Sequence, residues 1–262
     1  MTRVAVIGAS GRMGEALIDA LARSDHLSLS AALTRPGHPD VGQRVPNTAL
    51  RFRDDLAHAL DEVDIAIDFA SADGLQSRAN ACAATQTPWL LGTTGLTREQ
   101  EATVVSTAKL VPVLFSANTS LAVNGFFDAV RQMAAVLGGD YDVDIIELHH
   151  RYKKDRPSGT ALELGRAVAR GWGVSLREVR VKPDLQGDRP RPSIAFSSIR
   201  AGAHAGEHRI LFAGRDDTVE LVHRASHRSV FANGALRAGA WLVGCPAGLY
   251  DMADFLAALR GA

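Results

Sequence analysis

Residues 147–161 read Glu-Leu-His-His-Arg-Tyr-Lys-Lys-Asp-Arg-Pro-Ser-Gly-Thr-Ala, and no other stretch gathers so many groups able to move protons or hold acids. Reducing a C=N or conjugated C=C bond needs a hydride on one atom and a proton on another. His149 or Lys153 can give that proton, since the proton affinity of each is tuned by its neighbours. The block begins at the end of one strand pattern and finishes at the start of a helix pattern, so its polar groups lie on a loop. Ser158 is suited to cap that helix, which leaves the amides of Gly159 and Thr160 as first-turn donors for a carboxylate. His150 and Lys154 add cationic donors for an anionic substrate. Taken singly, a histidine at a strand end is usually a packing or surface residue, and a loop lysine is usually solvated. The weight therefore rests on the whole string. A metal is not expected, because no third His, Cys or Asp stands at ligand spacing. Ser158 lacks the elbow motif of a serine nucleophile.

A second chemical signal lies at the front of the chain. Gly8-Ala9-Ser10-Gly11-Arg12-Met13-Gly14 follows a short apolar run and opens a helical pattern. Its G-x-x-G-x-x-G spacing lets backbone turn tightly and approach a pyrophosphate at a helix N-terminus. The strand–loop–helix context is what gives this variant fingerprint its meaning. After the second strand come Thr34 and Arg35, with no acid to accept from a ribose 2′-hydroxyl. Arg35 can instead pair with a 2′-phosphate, so NADPH is the expected cofactor, alone or alongside NADH. Two further loops follow strands on the same expected sheet edge: Gly92-Thr93-Thr94-Gly95 and Ser116-Ala117-Asn118-Thr119-Ser120. Their hydroxyls and amide suit a nicotinamide ribose or carboxamide, and equally suit ordinary turns and caps.

The elements that must position these groups alternate through the front half. Strand patterns at 3–7, 27–33, 63–69, 88–91 and 111–116 are interleaved with helical patterns at 14–24, 54–60, 77–85 and 97–109. Repeated βα units predict a parallel sheet covered on both faces. Beyond about residue 120 the pattern changes to a long helix at 123–137, a strand at 142–149, a helix at 159–170, and strands at 194–200, 207–213 and 218–225. Residues 184–192 are rich in Pro, Gly and charge and are expected to form a mobile loop. Helix returns from Asn233. The expected architecture is α/β: an N-terminal Rossmann-like doubly wound parallel sheet, with a second α+β domain carrying an open mixed sheet.

Composition limits the classes of function. The 262 residues carry 29 Lys plus Arg against 29 Asp plus Glu, so no global field favours nucleic acid or membrane surfaces. An anionic ligand must be held by local donors. Cys82 and Cys245 stand far apart, which speaks against a disulfide framework and fits a reducing cytoplasm. No run approaches the roughly 20 apolar residues of a membrane span, and the short apolar start lacks the features of a signal peptide.

The string at 147–161 resembles the E-x-H-H-x-x-K-x-D-x-P-S-G-T-A signature of dihydrodipicolinate reductases. The resemblance extends over nearly the whole chain, through residues 4–14, Asp68-Phe69, Gly92-Thr93-Thr94-Gly95, Ala117-Asn118 and residues 227–235. It implies His149 as the acid/base residue and Lys153 as the proton donor, with His150, Ser158, Gly159 and Thr160 at the substrate. It implies dinucleotide contacts from Gly8, Ala9, Ser10, Gly11, Arg12, Met13, Arg35, Gly92, Thr93, Thr94, Ser116, Ala117, Asn118 and Thr119. It further implies NADPH- or NADH-dependent reduction of 4-hydroxy-tetrahydrodipicolinate to tetrahydrodipicolinate with loss of water, in lysine biosynthesis. Residues 1–120 would bind dinucleotide, completed by 231–262. Residues 121–230 would bind the dicarboxylate and build a homotetramer through their sheet. Three positions depart from the family pattern. Thr34 replaces an acid, which weighs against strong NADH binding; Thr119 replaces a bulkier apolar residue; Arg156 replaces a small one. Two other readings are another two-domain oxidoreductase of amino-acid metabolism and a non-catalytic dinucleotide sensor. The sensor leaves the block at 147–161 without a purpose.

Overall fold

Val4, Ala5, Val6 and Ile7 are all buried, which only a strand covered on both faces can achieve. They lie in β1 (Thr2–Ile7), the centre of the first sheet in a computed structural model that describes residues 1–182, 186–227 and 229–261. The chain continues through α1 (Arg12–Leu21), β2 (Leu27–Leu33), β3 (Phe52–Arg53), α2 (Leu56–Asp61), β4 (Ile65–Asp68), α3 (Leu75–Ala84), β5 (Trp89–Leu91), α4 (Arg98–Ala108) and β6 (Pro112–Phe115). The second part holds α5 (Leu121–Leu137), β7 (Asp142–His149), α6 (Gly159–Gly171), α7 (Leu176–Val179), β8 (Ile194–Arg200), β9 (Glu207–Ala213) and β10 (Thr218–Arg224). The tail forms α8 (Ser229–Leu242), β11 (Gly248–Tyr250) and α9 (Met252–Arg260).

The chain divides into two compact units, Met1–Leu121 with Arg228–Ala262, and Ala122–His227. In the first, seven strands run in the order β11-β6-β5-β4-β1-β2-β3, every pairing parallel. Alternation along β1 sends Val4 and Val6 to a core with α1, α8 and α9. Ala5 and Ile7 go to a core with α2, α3 and α4. The sheet is thus wound on both faces, and the chain reverses direction across the β1–β4 boundary. Ligands in such sheets bind outside the strand C-termini at this switch point.

In the second unit the order is β10-β9-β7-β8, with β7–β8 parallel and the other pairs antiparallel. Val143 and Ile145 of β7 share a core with Ile210 and Phe212 of β9, Ile194 of β8, Val130 and Ala134 of α5, and Leu164 and Val168 of α6.

Several elements differ from the sequence expectation. The first helix begins at Arg12 rather than 14, directly on the glycine loop, and ends at Leu21. The tail is helical from Ser229, not Asn233, and is broken by β11, which pairs with β6. The two-residue β3 and four-residue α7 are too short to show a period. Of the loop expected at 184–192, residues 184 and 185 lie outside the described residues.

Candidate active site

Two arrangements stand out, one in each unit. In the first, Gly8 follows β1 with φ of +80°, a conformation that side chains rarely adopt, and a Cβ there would lie 2.9 Å from Ala70 N. A Cβ on Gly14 would meet Gly8 O at 2.3 Å, so this glycine lets α1 pack on the loop. Gly11 is the N-cap of α1, and no side chain caps that helix. A turn shaped by absent Cβ atoms and ending on uncapped amides fits a dinucleotide pyrophosphate.

The neighbouring loops lie at the C-terminal ends of adjacent strands in the same sheet. Asp68 is fully buried at the end of β4 and accepts from Ala70 N–H (2.9 Å), Arg78 Nε (2.6 Å) and Trp89 Nε1 (3.2 Å). Arg78 also donates to the carbonyls of Ser71 and Asp73, which pins the loop after β4. Thr93 is buried and donates to Ala70 O, so its hydroxyl ties two loops together, while Thr94 is exposed. Gly92 lies under the Phe69 ring, which a Cβ would strike at 2.3 Å. Ser116 Oγ donates to Asn118 O, and the Asn118 side chain accepts from Ser120 N–H. Thr119 is 1% exposed and donates to Phe231 O at 2.7 Å, so its hydroxyl is committed to α8. Arg35 stands exposed just beyond β2 and makes no ion pair among the described residues, next to buried Thr34.

The second arrangement grows from β7. Its alternation buries Val143, Ile145, Glu147 and His149 on one face, and the last two are ionisable. Antiparallel register sets His208 of β9 opposite Glu147, while parallel register sets Ser198 of β8 opposite Glu147 and Arg200 opposite His149. Glu147 Oε1 accepts from Ser198 Oγ (2.7 Å), Arg200 Nη2 (2.8 Å) and Ser158 N–H (3.0 Å). Glu147 Oε2 lies 3.1 Å from His149 Nδ1 and 3.8 Å from His208 Nε2. Burial opposes the charge on Glu147, but the bonds from His149, Ser158, Ser198 and Arg200 prevail and hold its carboxyl well below the usual range. His208 goes the other way: burial, then repulsion from His149, pushes it down to about 3, so it is neutral at physiological pH.

Ser158 is the N-cap of α6, its Oγ accepting from Ala161 N–H at 3.2 Å and lying 3.2 Å from His208 Nε2. The amides of Gly159 and Thr160 precede the first intrahelical bond, from Leu162 N–H to Ser158 O. Both remain without a hydrogen-bond acceptor among the described residues, as a carboxylate site requires. Lys153 Nζ lies 2.9 Å from Asp155 Oδ1, and Lys153 N–H donates to His150 O. Arg156 is exposed and lines a cavity of about 460 Å³ with Arg180, Lys182 and Arg189.

Glu147, His149 and His208 bring three donor atoms within 4.8 Å of one another, a convergence that spacing along the chain does not reveal. Arg200 already sets a positive charge 2.8 Å from this carboxylate, which disfavours a second cation. His208, Ser198 and Arg200 had not been singled out in the sequence. The available signal was alternation in 207–213, which sets His208 on the same face as Ile210 and Phe212, a polar residue where an apolar one belongs.

Residues 2–119 match the family model for the dihydrodipicolinate reductase N-terminus, and residues 122–256 match that for its C-terminus. The chain belongs to the dihydrodipicolinate reductase family. It is 42% identical over 269 residues to the 4-hydroxy-tetrahydrodipicolinate reductase of Anaeromyxobacter dehalogenans (strain 2CP-1 / ATCC BAA-258), covering 100% of this chain and 99% of that relative. It is 41% identical over 264 residues to the enzyme of the same name from Hahella chejuensis (strain KCTC 2396), covering 98% and 99%. Among solved structures, the dipicolinate-bound dihydrodipicolinate reductase of Paenisporosarcina sp. TG-14 shares the fold, with a TM-score of 0.78 at 22% identity over 96% of this chain and 97% of that one.

Proposed function

We propose that this chain reduces 4-hydroxy-tetrahydrodipicolinate to tetrahydrodipicolinate with NADPH or NADH, releasing water, in the diaminopimelate route to lysine. The observation that carries the reading is the acid/base cluster of Glu147 and His149 beside an N-capped helix whose first amides, on Gly159 and Thr160, await an acceptor. The family's N- and C-terminal matches support it across the chain.

A bound nicotinamide supplies the hydride. The glycine cradle from Gly8 to Gly14 holds the pyrophosphate, with Ala9, Ser10, Arg12 and Met13 around it. Gly92, Thr93, Thr94, Ser116, Ala117, Asn118 and Thr119 line the strand ends beside it. Arg35, exposed and without an ion pair among the described residues, favours the 2′-phosphate of NADPH. Gly159 and Thr160 grip one substrate carboxylate through their amides while Ser158 fixes the helix tip. His150 adds a donor. His149 and Lys153 manage the proton, and Asp155 holds the Lys153 ammonium until substrate arrives.

A homotetramer is the assembly this reading takes. The face of the second sheet turned away from α6 carries Ile146, Leu148, Leu211 and Val222 half-buried and Ile199 exposed, with Arg209 between Ile146 and Val222 paired to Glu220, and Arg224 paired to Glu207. Such a face gains by covering its apolar centre with another copy. A cytoplasmic setting is in keeping with two free thiols. No described helix is long and apolar enough to cross a membrane.

The test is substrate-dependent oxidation of each reduced nicotinamide cofactor, with the imine precursor generated freshly in the cuvette. Oxidation that requires the precursor and yields tetrahydrodipicolinate supports the reading. Cofactor binding without turnover would replace it with the sensor alternative.

A further inference from the structure

One buried carboxylate is tied, directly or through Arg200, to His149, to the Lys153 segment and to the tip of α6. Glu147 is 1% exposed. Through Oε1 it accepts from the Ser158 amide, so it holds the tip of α6, and from Arg200, whose side chain is also 1% exposed. Arg200 donates onward to the carbonyls of Lys153 and Asp155, so the same guanidinium fixes the segment that carries the lysine. Through Oε2 Glu147 faces His149 Nδ1 at 3.1 Å and His208 Nε2 at 3.8 Å, and neither Oε2 nor His149 Nδ1 has an aligned hydrogen bond among the described residues. A close but poorly aligned pair of this kind is common at proton-handling sites before substrate is bound. Ion pairing alone explains the arrangement poorly, because desolvation offsets most of what a buried pair gains.

We propose that Glu147 is a positioning residue for the reduction: it keeps the His149 proton on Nδ1, and with Arg200 sets the Lys153 loop and the α6 tip in register with that ring. The proposal rests on the reductase reading above. With Nδ1–H turned to Glu147, Nε2 is the nitrogen left to exchange a proton with substrate. In the imidazolium, the Nε2–H bond breaks as the proton passes to substrate, the electron pair stays on Nε2, and solvent restores the proton afterwards. The groups facing the ring are Glu147 on its own strand and His208 from β9, which is neutral and so adds no charge. Arg200 of β8, with Lys153 and Asp155 of the loop, completes the charged surroundings, and Gly206 lies against Nε2 itself.

The experiment joins ring-nitrogen NMR of His149 to kinetics of Glu147→Gln, Arg200→Lys and Arg200→Met. In the wild type, Nδ1 is expected to carry the proton of the neutral ring. Glu147→Gln should lower kcat by roughly 10²–10⁴-fold, as other losses of a histidine-orienting carboxylate do. Its substrate KM and NADPH affinity should change little, and the two His149 tautomers should become mixed. Arg200→Lys should retain more activity than Arg200→Met. A wild-type ring protonated on Nε2, or Glu147→Gln turnover equal to wild type, would overturn the proposal. Absence of any turnover by the wild type would sink the reductase reading instead, and the tautomer measurement would still decide for the Glu147–His149 pair.

Discussion

Arg200 Nη2 lies 2.8 Å from Glu147 Oε1, with both side chains 1% exposed, so the charge that β7 buries is answered by the next strand. The pair arises from parallel register, in which Ser198 stands beside Glu147 and Arg200 beside His149. Slipping β8 by one residue would turn Ser198 and Arg200 to the opposite face and leave the carboxylate without its neutralising donor. The loop that bears Lys153 is therefore organised by strand pairing formed far away in sequence.

Removing either His149 or Lys153, the groups proposed to handle the proton, should stop the chemistry without disturbing the nucleotide. His149→Ala and Lys153→Ala are expected to lower kcat by roughly 10²–10⁴-fold. NADPH affinity, measured by fluorescence titration, should stay at the wild-type value. A parallel loss of NADPH binding would contradict the assignment.

The glycine cradle should fail by steric contact. A Cβ on Gly14 would fall 2.3 Å from Gly8 O and 2.5 Å from Ala9 Cα, both backbone atoms that cannot swing away. Gly14→Ala is expected to weaken NADPH binding at least about tenfold, which is ~1.4 kcal/mol, and to lower Tm. Wild-type affinity in this variant would remove the cradle from the account.

Cofactor preference should turn on Arg35. Replacing it by Ser removes the guanidinium proposed to pair with a 2′-phosphate, a charge-assisted contact of about 1.5–3 kcal/mol. The expected result is a fall of roughly ten- to hundredfold in kcat/KM for NADPH with little change for NADH. Equal losses with both cofactors would show that Arg35 acts elsewhere.

How far these sites were legible depends on how local their causes are. The glycine loop was legible because a short apolar run, three spaced glycines and a helical stripe are consecutive. The Ser158 cap was legible for the same reason, as the cap and its target Ala161 are three residues apart. His208 and Arg200 were not, because only the register of β9 and β8 on β7 brings them to Glu147. The strand β11 was missed too: Gly248, Leu249 and Tyr250 extend only because β6 offers a free edge. The Thr93 and Thr119 hydroxyls each donate to a backbone carbonyl, which leaves oxygen lone pairs but no hydroxyl proton for the cofactor contact expected of each. Ser and Thr serve both roles, and their identity alone does not distinguish them.

Stability should fall in acid through the same cluster. His208 has a folded pKa of about 3 against 6.5 in the open chain, so between those values the unfolded state binds a proton that the folded state refuses. Stability then rises with pH through that window and is lost as pH falls, by up to a few kcal/mol. Glu147, also depressed in the fold, has the same sign: its contribution is present above its unfolded value and declines below it. Denaturant midpoints measured from pH 7 to pH 4 should drop steeply in the wild type and less steeply in His208→Gln. Identical slopes would show that His208 is not the buried neutral group.

The most direct test follows the hydride itself. With NADPH deuterated at the transferring position of nicotinamide C4 and freshly generated 4-hydroxy-tetrahydrodipicolinate, the tetrahydrodipicolinate formed is expected to carry one deuterium by mass spectrometry. Label retained in the cofactor, or a product of unshifted mass, would contradict the claim that this chain joins cofactor hydride and loop proton on one substrate.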